Sequence, residues 1–168
     1  MTKVIALDMY GQPHEVDLAK VEPPRAGVYG IVIHDSKILL IPERTRELFA
    51  LPGGTMKVGE DFGDTLVREI KEETGVNVKV GRLVDVKTNI FFHPADGPTR
   101  QTLQIYFTAD YLDGEVSCDG FDQWEKDCLG IAEWVDISRI DTIRFGTSID
   151  LLPIIKKALN EKNCEEKK

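Results

Sequence analysis

The stretch Gly54 to Val76, GTMKVGEDFGDTLVREIKEETGV, decides how the rest of the chain reads. Gly53, Gly54 and Gly59 surround a loop that can adopt backbone angles closed to other residues. Glu60, Asp61 and Asp64 place negative charge where a helix dipole favours it. Gly75 is the stop signal. Between them, Phe62, Leu66 and Ile70 recur every four residues and predict a buried stripe. At about 100° per residue, Glu69 and Glu73 project within roughly 20° of Phe62, and Glu72 lies about 60° beyond Glu69. Arg68 and Lys71 fall on the far side, toward water. Carboxylates at i, i+3 and i+4 repel by about a few tenths of a kcal/mol per pair, more where water is excluded. A hard divalent ion turns that repulsion into a ligand set, because oxygen donors at this spacing suit Mg²⁺ or Mn²⁺. Alone, REIKEET would read as an ordinary solvated helix face.

The wider pattern removes that reading. Gly54, Glu60, Arg68, Glu69, Ile70, Glu72, Glu73, Gly75 and Val76 match without a departure the spacing Gly-x5-Glu-x7-Arg-Glu-U-x-Glu-Glu-x-Gly-U, with U aliphatic. From average residue frequencies, a chance match per window is of order one in a billion. Leu51, Pro52 and Gly53 extend the match as an LPGG lead-in. The chain therefore resembles the Nudix hydrolases. The resemblance implies an α/β fold, an αβα sandwich with a mixed β-sheet in which the signature loop and helix are cradled.

Composition sets wider limits. A chain of 168 residues, 42% apolar and 30% charged, fits one soluble domain over residues 1–168. No apolar run is long enough to cross a bilayer, and MTKVIALDMYGQ lacks the basic start and cleavage site of a secretion signal, so the expected location is the cytosol. Cys118, Cys128 and Cys164 have no metal-ligand spacing and read as reduced thiols. A net charge of −8 argues against binding long nucleic acid. Small anionic partners remain open, met by bound metal and a few local cations.

Residues 1–22 read as two strand-like pieces, KVIALDMY and EVDLAKV, about a turn at Gly11 to Pro13. They form an added hairpin or an arm for homodimer contact, and Pro23 and Pro24 then break the chain. GVYGIVIH and Lys37 to Ile41 predict a hairpin turning at Asp35 and Ser36, and Pro42 to Ala50 a polar excursion carrying Arg44 and Arg46. Val78 to Phe92 predicts a long strand bent at Gly81, and Gln101 to Leu112 its alternating neighbour. An acidic stretch from Glu115 to Asp127 follows, then a short strand at Ile131 to Val135. The last helix is expected over Ser148 to Asn160, with Leu151, Leu152, Ile155 and Leu159 inward and a frayed tail at 161–168.

The resemblance implies hydrolysis of a diphosphate linkage in a nucleoside diphosphate derivative, with Mg²⁺ as cofactor and Mn²⁺ as a substitute. A diphosphate repels incoming hydroxide, so metal must neutralise its oxygens and acidify a water. Carried over position by position, Glu69, Glu72 and Glu73 are the metal ligands, with the Gly54 carbonyl beside them and Glu60 at the edge. Arg68 pairs with carboxylates and orients them. The general base is Glu69 or a loop glutamate after the main sheet, for which Glu125 and Asp127 are the candidates. Arg44 and Arg46 are candidate phosphate contacts. Tyr29, Phe49, Phe91, Phe92, Phe121 and Trp124 are candidates for stacking a base, and His93 for a substrate contact.

Three alternatives compete. A house-cleaning triphosphate pyrophosphatase would release pyrophosphate. A noncatalytic sensor on the same fold would be expected to have lost signature glutamates, all of which are kept here. A prenyl diphosphate isomerase would carry a cysteine ahead of the signature, where this chain has none.

Overall fold

The computed structural model describes residues 2–44, 48–92, 97–121 and 123–165, without the side chains of Trp124 and 161–165. Among these residues the sheet has nine strands. The hairpin β1 (Lys3–Leu7) and β2 (Pro13–Asp17) stands at one edge, and β1 runs parallel to β7 (Asn77–Phe91) through Leu7 and Phe91. Then come β8 (Arg100–Asp113), β3 (Glu22–His34), β4 (Lys37–Pro42) and β5 (Phe49–Ala50), with β6 (Gly53–Thr55) branching from β3 and β9 (Glu133–Asp136) from β4. The β3–β8 and β1–β7 pairings are parallel and the others antiparallel, so the sheet is mixed as the resemblance implied.

Alternation along β3 and β4 explains why helices cover both faces. Ile31, Ile33, Ile38 and Leu40 point into one core with Leu151, Ile154, Ile155 and Ala158 of the C-terminal region, where helix α3 (Leu152–Glu165) packs. Val28, Val32, Leu39 and Ile41 point into the other with Leu66 and Ile70 of helix α1 (Phe62–Thr74). Strands buried on both sides read as continuous apolar runs, which is what GVYGIVIH and KILLIP are. Asp35 and Ser36, both with positive φ (47° and 59°), form the expected tight turn between them.

Several expectations need correction. Pro23 and Pro24 do not break the chain: β3 runs through them, and the β3–β8 register shifts between Glu22 and Arg25, where two residues without N–H donors cost no ladder bonds. Phe62 is 42% exposed and lies outside the buried stripe. Contact with the sheet begins a turn later, where Gly30 leaves room for Leu66 and Ile70, and Thr65, Glu73 and Thr74 complete the buried face. The acidic stretch contains a short helix, α2 (Gln123–Cys128), absent from the sequence reading. Helix α3 starts later than expected, after the Asp150 carboxylate accepts from Leu152 N–H at 3.2 Å, and continues to Glu165 where fraying was expected. Its inward face includes Ile154 and Ala158.

The bend at Gly81 is present as a register shift between Val80 and Leu83, closed by Arg82 N–H donating to Thr108 Oγ1 at 3.0 Å. The β1–β2 hairpin, Lys3 to Asp17, extends the sheet at its edge. Asp8 accepts from the N–H groups of Tyr10 and Gln12 and pairs with His14, whose ring stacks on Phe92 at 4.1 Å.

Candidate active site

The loop ahead of α1 is set by backbone chemistry. Gly53 holds φ 138°, and a Cβ there would run into the Val28 carbonyl oxygen. Its N–H donates to Glu73 Oε2 at 2.7 Å. Asp61 caps α1 by accepting from Asp64 N–H at 2.8 Å, and Gly75 (φ 74°) ends the helix with its N–H on the Lys71 carbonyl. One element thus delivers all the signature carboxylates to the same edge of the sheet.

Arg68 is the hub of that edge. Its Nε and Nη2 donate to Glu60 at 2.5 and 2.8 Å, and its Nη1 donates to Glu69 at 2.7 Å and Glu72 at 3.0 Å. The side chain is 19% exposed, so helical angle alone placed it wrongly. Helical side chains lean toward the N-terminus, and a long one reaches over the preceding turn. Arg68 accordingly also touches the Thr55 carbonyl, whereas Lys71 is solvated as expected.

The carboxylates titrate in opposite directions. Glu60 is held at about 2 by the hydrogen bonds from Arg68, helped by Lys57 N–H and Thr65 Oγ1. Burial raises Glu69 above the ordinary range, against the pull of Arg68. Glu73 is only 8% exposed; burial drives it well up, Gly53 N–H opposes, and the charges of Glu69, Glu125 and Glu72 add to the rise. Glu72 is the most open of the three, at 44%.

Among the described residues, no three carboxylate, imidazole or thiol groups converge as a finished metal-ligand set. The guanidinium of Arg68 occupies that organising role for Glu60, Glu69 and Glu72. The donor chemistry nonetheless fits a hard divalent cation. Glu69, Glu72, Glu73 and Glu125 repel one another at Glu73, and the Glu69 carboxylate lies against Gly54, where an added Cβ would come within 2.8–2.9 Å of it. A glycine at 54 is what lets the Glu69 carboxylate lie that close to the strand.

The loop candidates separate. Residues 117–120 pack on the end of α1: Ser117 N–H donates to the Thr74 carbonyl, and Gly120 lies against the Glu72 backbone with no room for a side chain. This brings Glu125 within electrostatic reach of Glu73. Asp127 is exposed and accepts from Gln123 Nε2 at 3.1 Å. Arg44 donates from Nε to the Leu129 carbonyl at 2.7 Å, tying the strand end to the segment after α2. Arg46 and His93 lie outside the described residues.

Beside the motif opens a cavity of about 400 Å³. Glu73 and Gly53 form its motif side, and Tyr29, Tyr106 and Phe91 supply aromatic wall. The Tyr29 phenol is pushed up to about 12 by burial and by the charges of Glu73 and Glu69, which places it between cavity and carboxylates. Tyr106 stacks on Tyr29 at 5.6 Å and donates to Gln104 Oε1 at 2.5 Å. Of the other aromatic candidates, Phe49 and Phe121 pack in the cores, Phe92 stacks on His14, and the Trp124 side chain is outside the description. Sequence reading missed Met9, Glu43, Gln104 and Tyr106 as cavity residues. The alternation of QTLQIYF could have paired Gln104 with Tyr106; nothing in the local sequence flags Met9.

The model for the NUDIX domain matches residues 23–151, which include the whole motif and cavity wall except Met9. The chain belongs to the NUDIX family. It is 32% identical over 173 residues to a protein of Methanocaldococcus jannaschii named ADP-ribose pyrophosphatase, covering 96% of this chain and 94% of that one. Among solved structures, a UDP-X diphosphatase superposes with a TM-score of 0.63 at 22% identity, over 84% of this chain and 64% of that one. An ADP-ribose pyrophosphatase from Streptococcus suis gives 0.61 at 19%, over 83% and 92%. At these identities the structural likenesses concern the fold. As a Nudix hydrolase the chain belongs to enzymes that generally need a divalent metal. Among the described residues no helix is long and apolar enough to cross a membrane.

Proposed function

We propose that this Nudix hydrolase is a Mg²⁺-dependent pyrophosphatase that cleaves the diphosphate linkage of a nucleoside diphosphate derivative, with ADP-ribose the first substrate to test. The observation that carries the proposal is the placing of Glu73, at the end of the Arg68-organised carboxylate row, on the wall of an aromatic cavity of about 400 Å³. Such a cavity suits a base or sugar, and the row beside it suits the charged linkage. The relative named for ADP-ribose, matched over nearly its whole length, supports the substrate choice.

Glu69, Glu72 and Glu73 would hold the metal with the Gly54 carbonyl, and Glu60 would stand at the margin. Bound there, a divalent cation neutralises diphosphate oxygens and acidifies a water. Arg68 fixes Glu69 and Glu72 through its Nη1 while Glu60 anchors its other nitrogens. Glu125, facing Glu73 from α2, is the loop carboxylate we assign to accept the water's proton, in preference to the solvated Asp127. Tyr29 and Tyr106 give the organic moiety an apolar wall and exclude water from it.

The test is a Mg²⁺ screen of ADP-ribose, sugar nucleotides, dinucleoside polyphosphates, NADH, coenzyme A and nucleoside triphosphates, with products identified by chromatography. Equal amounts of AMP and ribose 5-phosphate from ADP-ribose are expected. Pyrophosphate from triphosphates alone would replace this reading with the house-cleaning one, and no turnover of any compound would replace it with a nucleotide sensor.

A further inference from the structure

Glu43 stands just after β4 and lines the same cavity as Glu73, yet it is not part of the signature. Its backbone is pinned on two sides: its N–H donates to the Leu48 carbonyl at 2.7 Å, and it bridges to Leu129. The facing wall is equally fixed, since Gly146 N–H donates to the Phe49 carbonyl at 3.0 Å and Phe145 bridges to Phe49. The Glu43 carboxylate rests against Gly146 in space that any Cβ there would occupy. Among the described residues no side chain donates to it or pairs with it. Burial raises its carboxyl above the ordinary value, with no cation opposing. A partly desolvated carboxylate on a cavity wall lacks the donors it needs, and two oxygens side by side match two adjacent donors.

Across the cavity, Gln104 has its amide oxygen engaged by the Tyr106 hydroxyl, so its NH₂ group is the part left to donate. The cavity therefore presents an acceptor at Glu43 and a donor at Gln104. A phosphate group is repelled by the first, so an organic moiety must face it.

Resting on the function proposed above, we infer that Glu43 is a specificity-determining residue whose carboxylate accepts paired hydrogen bonds from two adjacent donors on the organic moiety. Those donors are either the vicinal hydroxyls of a ribose or the N–H and NH₂ edge of a guanine-type base. Gly146 is the positioning residue that gives the carboxylate its place.

The experiment measures binding of reaction products by calorimetry for wild type, Glu43→Gln and Gly146→Ala, alongside wild-type turnover of ADP-ribose. AMP is paired with 2′,3′-dideoxy-AMP, ribose 5-phosphate with 2-deoxyribose 5-phosphate, and GMP with IMP. Wild type is expected to bind the donor-bearing member of one pair about tenfold or more tightly. The diol pairs and the GMP pair separate the two sources. In both variants that preference is expected to fall to about twofold or less, with donor-less ligands bound as by wild type. Gly146 has an ordinary φ, so alanine displaces only the carboxylate and serves if Glu43→Gln unfolds. Preference retained in the variants, equal weakening of all ligands, or no preference in wild type would each overturn the inference. Absence of ADP-ribose turnover in wild type would instead strike the function proposed above, whatever the binding ratios.

Discussion

The signature edge and the cavity wall share Glu73 but are built in contrasting ways. The edge comes from residues 53–73, consecutive in sequence, where one guanidinium joins Glu60, Glu69 and Glu72 and the Gly53 N–H holds Glu73. The cavity draws Met9 from the β1–β2 turn, Tyr29 from β3, Glu43 after β4, Gln104 and Tyr106 from β8 and Gly146 from the segment before α3. Chemistry common to a family can be written in one local motif, because one helix fixes the spacing. Selection of a substrate is written in distant segments, each free to change alone. Changes at the edge should therefore lower turnover of every substrate alike, and changes at the wall should re-rank substrates.

The largest effect is expected for Glu72→Gln. If Glu72 holds the metal as proposed, its loss should lower kcat by about a thousandfold or more, with the circular dichroism spectrum unchanged and substrate ratios preserved. A re-ranking of substrates in this variant would break the contrast. Glu125→Gln should lower kcat by about a hundred- to ten-thousandfold if it accepts the proton, while Asp127→Asn stays within about twofold. Equal, small effects would return the base to Glu69.

Met9→Ala sharpens the other side. It should raise KM for the preferred derivative by about tenfold and shift the order of substrates, with kcat on small ones retained. A uniform fall in kcat would assign the hairpin to the edge instead. The smallest effect concerns Glu60. Its carboxyl is held at about 2 against an ordinary 4.5, so its folded-state advantage is present above 4.5 and disappears as pH falls through that range toward 2. The Tm gap between wild type and Glu60→Gln should shrink over that interval; a gap independent of pH would mean that the Arg68 contact adds nothing to stability.

The same contrast governs what could be read in the sequence. The fold class, the hairpin of GVYGIVIH with Lys37 to Ile41, its Asp35–Ser36 turn and the bend at Gly81 were legible, because each rests on local pattern or one residue's backbone freedom. Arg68 was legible through the family resemblance but not through helical angle, since an arginine reaches further than its Cβ direction implies. Phe62 misled because apolar spacing says which residues share a face, not where the neighbouring strand starts to cover it. Helix α2 was obscured by its short, acidic sequence, and its placement of Glu125 near Glu73 depends on Gly120 fitting against Glu72, a contact between residues 48 apart in sequence number, 120 − 72. Met9 and Glu43 enter the cavity through sheet pairing, which no local window contains.

The most direct measurement is a Mn²⁺ titration followed by electron paramagnetic resonance, on wild type and on Glu69→Gln and Glu72→Gln, with and without AMP. Wild type should hold Mn²⁺ competitively with Mg²⁺, more tightly with AMP present, and each variant should lose at least about tenfold in affinity. Equal Mn²⁺ affinity in all three proteins would contradict the assignment of the signature carboxylates to the metal.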